Sequence, residues 1–142
     1  MGNRISETVV GTTTIGVRVP AETGHLIMLR ALAETVALIA DFGIDEVTDI
    51  RLALDEVATS LILDAVPGST LDCEFRYAED RMFVRVGSVT AMLSAIGEDS
   101  FSWHIVRTLT DSVTVTREPY DGLLSGYPTV VDFTWVRAPD NG

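Results

Sequence analysis

The sequence predicts a two-layer α/β sandwich, with helices packed on one face of a mixed sheet. Helical and strand patterns follow one another in the order β, α, α, β, β, α, β, β, which separates the helices from the strands. The chain has 142 residues, of which 46% are apolar, so it can bury one continuous core. We therefore expect residues 1–142 to form a single domain.

A strand and a helix are predicted first. Residues 7–19 are rich in β-branched side chains, which favour a strand, and Gly11 or Gly16 is expected to bend it. In residues 22–41, apolar side chains recur three or four positions apart, as in a helix with one buried face. Gly43 fits the C-terminal cap of this helix. The predicted buried face contains Leu26, Leu29, Leu32, Ala33, Val36, Ile39 and Ala40.

The longest predicted element is a helix over residues 44–66. Asp45 is a favourable N-cap, and the pair Pro67-Gly68 stops the helix. Apolar side chains again recur three or four residues apart, which sets one face against the core. These side chains are Val47, Ile50, Leu54, Val57, Leu61 and Ala65.

The C-terminal half contains four strands and one short helix. Alternating apolar and polar residues predict the strands, and the first two form a hairpin around the polar turn 78–80. Residues 90–99 are expected to be irregular or briefly helical. Asp99 or Ser100 can cap the short helix, whose buried side contains Trp103, Val106 and Leu109. The predicted ranges, in order, are 70–77, 81–89, the helix 100–110, 112–118 and 129–137.

The chain is strongly acidic, with 21 Asp and Glu against 10 Lys and Arg and a net charge of −11. This charge argues against direct binding to nucleic acid or to an anionic membrane, which requires clustered basic residues. It suits a basic protein partner, although acidity also serves solubility alone.

The chain carries one cysteine and no apolar run of membrane-spanning length. Cys73 cannot form an internal disulfide and is predicted to be a buried thiol in a reducing compartment. Residues 1–10 lack the long apolar segment of a signal peptide. We expect a cytoplasmic protein.

The best chemical lead is the pair Glu56 and Ser60 on the long helix. They are four residues apart, so both side chains extend from the same side of the helix. The same spacing also occurs on ordinary solvated helix flanks. One Cys and two His do not make a metal-ligand set, and a G-x-S-x-G nucleophile motif is absent from the sequence.

The run RLALDEVATSLI, residues 51–62, resembles the N-box helix of the GHKL ATPase superfamily, and specifically the anti-sigma-factor serine kinases of the RsbW and SpoIIAB type. Glu56 and Thr59 match the family pattern, and Ser60 replaces its Asn. The run SFSWHIVRTLTDSV, residues 100–113, is similar to the second glycine box and the helix after it, as in actinobacterial RsbW-like regulators. The resemblance implies a Bergerat-type fold, with a mostly antiparallel sheet covered on one face, and a homodimer that forms through the sheet and first helix region.

The resemblance also implies an ATP and Mg²⁺ site that has lost several of its groups. Glu56 would act on the attacking hydroxyl or water, and Ser60 would replace the magnesium-binding Asn with a shorter side chain. The other implied nucleotide positions are Ser88 and Thr90 at the Asp and Gly of the first box, Ser100 and Ser102 at glycines of the second, and a weak third box at Gly126 and Thr129. Nucleotide binding is therefore expected to be weakened.

The implied function is an anti-sigma factor that sequesters an alternative, stress-response type sigma factor and is antagonised by a STAS anti-anti-sigma protein. Arg30 aligns with a first-helix Arg that touches the sigma factor in this family. The alternative is an active ATP-dependent serine kinase that phosphorylates the STAS antagonist. A third hypothesis is a small-ligand sensor with a pocket lined by Trp103 and His104.

Overall fold

A computed structural model describes residues 11–92 and 100–137. The observed elements follow the predicted order, with a 3₁₀ turn at Thr23–His25 before the first helix. They are β1 (Thr13–Pro20), α1 (Leu26–Ile39), α2 (Ile44–Leu63), β2 (Thr70–Tyr77), β3 (Arg81–Thr90), α3 (Phe101–Leu109), β4 (Ser112–Arg117) and β5 (Tyr127–Val136).

The five strands form one sheet in the order β1-β2-β3-β5-β4, and every described neighbouring pair is antiparallel. The sheet that the resemblance implies to be mostly antiparallel is thus antiparallel at every described pair, with no parallel pair among them. The segment that contains α3 carries the chain from β3 to the edge strand β4. Strand β5 then returns between β3 and β4, so it runs antiparallel to both of them.

The core lies between the helices and one face of the sheet. Alternate strand residues point into it, as the two-residue period of a strand requires. The two-layer sandwich is confirmed. The largest fully buried side chains, at under 2% exposure, are Phe75, Phe133, Leu29, Ile50, Leu54, Leu61, Leu71, Met82, Val36, Val57, Val84 and Val86.

The junction between the first two helices differs from the prediction. Helix α1 ends at Ile39. The prediction that Ile39 is buried is wrong, because its side chain is 62% exposed, whereas Ala37 is fully buried. Asp41, with φ of 68°, takes the left-handed conformation that ends such a helix. Gly43 is the N-cap of α2 rather than a C-cap of α1, and its N–H donates to Glu46 Oε1 at 3.1 Å.

Helix α2 also begins and ends differently. Asp45 lies in its first turn rather than at the N-cap, where its charge still favours the helix dipole. The helix ends at Leu63, three residues earlier than predicted, because the Val66 N–H donates to the Val89 carbonyl of β3 at 2.9 Å. Ala65 therefore forms a bridge to β3 instead of lying on the helical apolar face.

The first strand begins at Thr13, and residues 7–10 of its prediction lie outside the described residues. The predicted bend is at Gly11, with φ of +85°. Gly16 instead pairs regularly with Glu74 of β2. The prediction for residues 90–99 also falls largely outside the described ranges, which omit 93–99.

Candidate functional site

The candidate site forms where the first turn of α3 packs against the middle of α2. Glu56 and Ser60 lie on the half-buried flank of α2, beside its fully buried face, and both side chains contact α3. Their predicted placement on one side of the helix is confirmed.

Ser102 joins the two residues of α2. Its Oγ donates to Glu56 Oε2 at 2.5 Å and accepts a hydrogen bond from Ser60 Oγ at 3.1 Å. All three side chains are partly buried, so water competes weakly for these bonds. Sequence positions 56, 60 and 102 therefore meet in one hydrogen-bonded chain.

Helix α3 is held at both ends as well as along its buried side. Ser100 is its N-cap and accepts a hydrogen bond from the Trp103 N–H at 3.1 Å, as predicted. Trp103 and Val106 are buried in the core. At the far end, Trp135 Nε1 donates to the Leu109 carbonyl at 2.7 Å. These contacts fix the position of Ser102 relative to α2.

Two further predicted positions meet at the end of the sheet. Thr90 of β3 and Thr129 of β5 are fully buried, and their hydroxyl oxygens are 3.0 Å apart. Gly126 lies beside them, where an added Cβ would be 2.6 Å from the Thr90 carbonyl oxygen. No described hydrogen bond links this pair to Glu56, Ser60 or Ser102.

Ser88 does not join either group. Its Oγ donates to the Thr70 carbonyl of the neighbouring strand at 2.8 Å. The implied nucleotide positions thus lie in four separate places. Three side chains bond to one another between α2 and α3, two threonines pair at the end of the sheet, Ser100 caps α3, and Ser88 bonds to strand β2. Their assignment to nucleotide binding stays a prediction.

ATP and Mg²⁺ would need free oxygen atoms on the α2 residues, since magnesium takes oxygen ligands. Here the Ser60 hydroxyl donates to Ser102, and the Glu56 carboxylate accepts from Ser102. The Ser60 oxygen keeps its lone pairs and the carboxylate keeps its second oxygen, so both residues can still accept bonds. Their assignment to ATP and Mg²⁺ stays a prediction.

Arg30 is paired with a residue of the neighbouring helix. Its Nε donates to Asp55 Oδ1 at 2.7 Å, across the contact between α1 and α2. Sequence reasoning missed Asp55 as the partner. The available signal was the pair of opposite charges on two adjacent helices, but their separation of 25 residues sets no distance between them.

Trp103 and His104 do not line one pocket. Trp103 is 7% exposed, whereas His104 lies on the exposed side of α3. A depression of about 420 Å³ beside Trp103 is lined by residues of α3, β4 and the turn between them, and its lining does not include His104. This arrangement gives no support to the sensor hypothesis.

The face of the sheet opposite the helices is polar. Sequence reasoning missed the pattern of charges on this face. Charges of opposite sign alternate on it: Arg18 pairs with Asp72 at 2.7 Å, and Arg85 pairs with Asp132 at 2.8 Å. The hydrogen bond and charge of the paired Asp raise the pKa of each of these Arg residues. The cross-strand rows are Thr14-Arg76-Phe83-Thr134-Ser112, Gly16-Glu74-Arg85-Asp132-Thr114 and Arg18-Asp72-Gly87-Val130-Thr116.

Comparison with known proteins identifies a relative. No family model matches the chain. Over 103 residues, however, it is 33% identical to the anti-sigma-F factor RsbW of Mycobacterium tuberculosis, in both strain CDC 1551 / Oshkosh and strain ATCC 25618 / H37Rv. This chain is a relative of RsbW. The predicted resemblance to RsbW-type proteins is confirmed.

The match to RsbW covers 72% of this chain and 61% of each relative. The chain therefore spans somewhat less than two thirds of the length of the curated RsbW proteins that it matches. None of the helices in the described ranges is long and apolar enough to span a membrane.

Proposed function

We propose that this chain is an anti-sigma factor that binds and sequesters an alternative, stress-response type sigma factor. The observation that carries the proposal is the 33% identity to a protein named anti-sigma-F factor RsbW. A sigma factor acts on RNA polymerase in the cytoplasm, so the proposal places the chain there too.

The outer surface of α1 supports a protein partner. It exposes large aliphatic side chains near both ends of the helix, and the first residue of α2 is exposed as well. Exposed apolar patches on a folded protein mark interaction sites. We call these residues the α1 ridge: Ile27 (73% exposed), Met28 (44%), Leu38 (59%), Ile39 (62%) and Ile44 (81%).

Arg30 lies on the same helix as the α1 ridge, and its guanidinium is a polar group whose orientation is set by Asp55. Asp55 accepts from Nε of Arg30, and no described acceptor bonds the two terminal Nη groups. A guanidinium that is held by one hydrogen bond loses less freedom when it binds a second acceptor. This arrangement supports Arg30 as a contact for a carboxylate or carbonyl of the partner.

The overall charge supports a basic partner. Sigma factors bind DNA through basic surfaces, and a protein of net charge −11 attracts such surfaces and competes with DNA for them. The long-range attraction weakens as salt increases. We therefore expect association with the sigma factor to slow at high ionic strength.

We further propose that a STAS anti-anti-sigma protein antagonises this binding. The alternative function is a serine kinase that phosphorylates that antagonist. The serines at positions 60, 100 and 102, where the resembled family has an Asn and two glycines, support the binding function over the kinase, because they weaken the implied ATP and Mg²⁺ site. Incorporation of radioactive phosphate from ATP into a purified STAS protein would establish the kinase instead.

The proposed homodimer is supported by the polar face of the sheet. Its rows contain three basic and three acidic side chains, so this face is neutral in a chain of net charge −11. Two copies meet with the least repulsion through a neutral face of alternating charge. The charge reversal Arg85→Glu should shift sedimentation toward monomer, whereas Arg107→Glu on α3 should not; equal sedimentation of both variants would argue against this interface.

The test of the main proposal is complex formation with purified sigma factors of the same organism, measured by size-exclusion chromatography and by inhibition of transcription in vitro. Arg30→Ala and Ile39→Ser should each weaken the complex about tenfold or more, as central interface residues do. The matched controls are Arg81→Ala at the β2–β3 turn and Leu123→Ser, which is 97% exposed on the β4–β5 loop. If no sigma factor bound, the proposed function would be wrong.

A further inference from the structure

Helix α3 is joined to α2 by a chain of hydroxyls that ends on a carboxylate. Ser102 Oγ has one proton, which it donates to Glu56 Oε2 at 2.5 Å. Its lone pair accepts the proton of Ser60 Oγ at 3.1 Å. Both donors therefore point toward the carboxylate, and each of the two hydroxyl protons has an acceptor within the protein.

We propose that Ser102 is the residue that docks α3 on α2 in the absence of any ligand. It holds the first turn of α3 on the middle of α2 by a hydrogen bond to a charged group. This docking has a consequence for partner binding, which is that the protein takes its sigma-binding form without nucleotide. That consequence rests on the proposed function.

The position of Glu56 strengthens this contact. Ser102 is the second residue of α3, so the carboxylate that it binds lies beside the N-terminal turn of that helix. The free N–H groups of a helix N-terminus carry partial positive charge and attract anions. The charge of Glu56 near this end of the helix therefore favours its contact with Ser102.

The buried side and the far end of α3 have contacts of their own. Trp103 and Val106 supply apolar contact with the core, and Trp135 Nε1 donates to the Leu109 carbonyl. The bonds of Ser102 are directional and lie in the first turn of α3, at the opposite end from the Trp135 bond. They therefore hold the first turn of α3 in one orientation on α2.

The decisive experiment is hydrogen–deuterium exchange of the α3 amides in the full chain without nucleotide. Ser102→Ala removes the hydroxyl but keeps a good helix former, and exchange across Trp103–Leu109 should rise about tenfold or more. Ser102→Thr keeps a hydroxyl and should remain near the wild-type rate. Thr108→Ala is the matched control, because among the described residues Thr108 Oγ1 bonds the His104 carbonyl of its own helix; it should not raise exchange.

A second variant guards against misfolding of the first. Ser60→Ala removes only the hydrogen bond from Ser60 to Ser102, and it should raise α3 exchange less than Ser102→Ala does. Unchanged exchange in both variants would overturn the proposal. Adding Mg-ATP to the wild-type protein should not slow α3 exchange, and strong protection by Mg-ATP would also overturn it, since α3 would then need a ligand to dock.

The same experiment separates the two proposals. Exchange of α3 is measured without any sigma factor, so the docking role of Ser102 stands or fails independently of partner binding. If Ser102→Ala loosens α3 and also weakens a sigma complex, the docked helix is part of the binding form. If it loosens α3 and leaves the complex intact, the part of the inference that concerns partner binding is wrong.

Discussion

Arg30 Nε lies 2.7 Å from Asp55 Oδ1, so an ion pair joins α1 to α2 beside the α1 ridge. The side chains are 41% and 32% exposed, respectively. Water and salt screen a pair at this depth, and such pairs contribute little to stability. We therefore interpret Asp55 as a positioning residue for the guanidinium of Arg30.

This interpretation predicts different effects on stability and on binding. In a double-mutant cycle with Arg30→Ala and Asp55→Ala, the coupling in the free energy of unfolding should be about 0.5 kcal/mol. Asp55→Ala should nevertheless weaken a sigma complex, because Arg30 is then free to adopt other rotamers. Chemical denaturation and calorimetric titration measure the two effects. A coupling energy several times larger would mean that the pair is mainly structural.

Burial determines the chemistry of Cys73. Loss of water around the thiol, with a smaller contribution from the charge of Glu74, raises the pKa of Cys73 from its ordinary value of 9.0 to about 12. The folded protein should therefore react very slowly with a thiol reagent at pH 8, whereas the unfolded protein should react at the normal rate. Rapid reaction with the folded protein at that pH would contradict the burial of Cys73.

The same shift predicts a pH dependence of stability. The folded-state pKa of Cys73 lies above the unfolded value, so the stabilisation is complete below pH 9 and is lost as pH rises from 9 toward 12. The free energy of unfolding should fall by up to about 1.4 kcal/mol per pH unit in this window. Cys73→Ala lacks this contribution, so its stability should decline less steeply between pH 9 and pH 11 in denaturant titrations.

The close approach of Gly126 to its neighbours predicts a sharp difference between two glycines of one loop. A Cβ at position 126 would lie 2.6 Å from the Thr90 carbonyl oxygen and 2.7 Å from Val66 Cγ2, whereas a Cβ at Gly122 meets nothing within 4 Å. Gly126→Ala should therefore lower the free energy of unfolding by about 1–3 kcal/mol. Gly122→Ala should change it by less than about 0.5 kcal/mol. Equal stability of the two variants would show that the loop relaxes freely.

Two leucines of α2 test the assignment of its buried face. Leu54 is fully buried and Leu52 is 44% exposed, although they are only two residues apart. Leu54→Ala should cost about 2–5 kcal/mol of unfolding free energy, because it leaves a cavity. Leu52→Ala should cost much less. A similar loss in thermal denaturation of both variants would mean that the helix is rotated relative to our description.

The element order could be predicted because it depends on local patterns. Two-residue alternation identified β2 through β5, and the polar turn between β2 and β3 identified their hairpin. The helix ends were harder because contacts distant in sequence set them. The end of α2 depends on the bond from Val66 to Val89, and no pattern within residues 44–66 contains it.

The candidate site was predictable only within one element. The spacing of Glu56 and Ser60 placed them on one side of a helix. Their bonds to Ser102 join residues more than 40 positions apart, and local spacing sets no distance between such residues. The family resemblance assigned all three residues to nucleotide binding, but it did not predict that they bond to one another. The pairing of Arg30 with Asp55 depends on how α1 and α2 pack, so helical periodicity alone could not give it.

On our proposal, this protein binds a sigma factor in a form that needs no nucleotide. Calorimetric titration of the chain into the sigma factor that it binds, with and without Mg-ATP, tests this claim most directly. We predict a Kd that is the same within about twofold in both conditions, because Ser102 and Glu56 already hold α3 in place. Binding that appears only when Mg-ATP is present would contradict it.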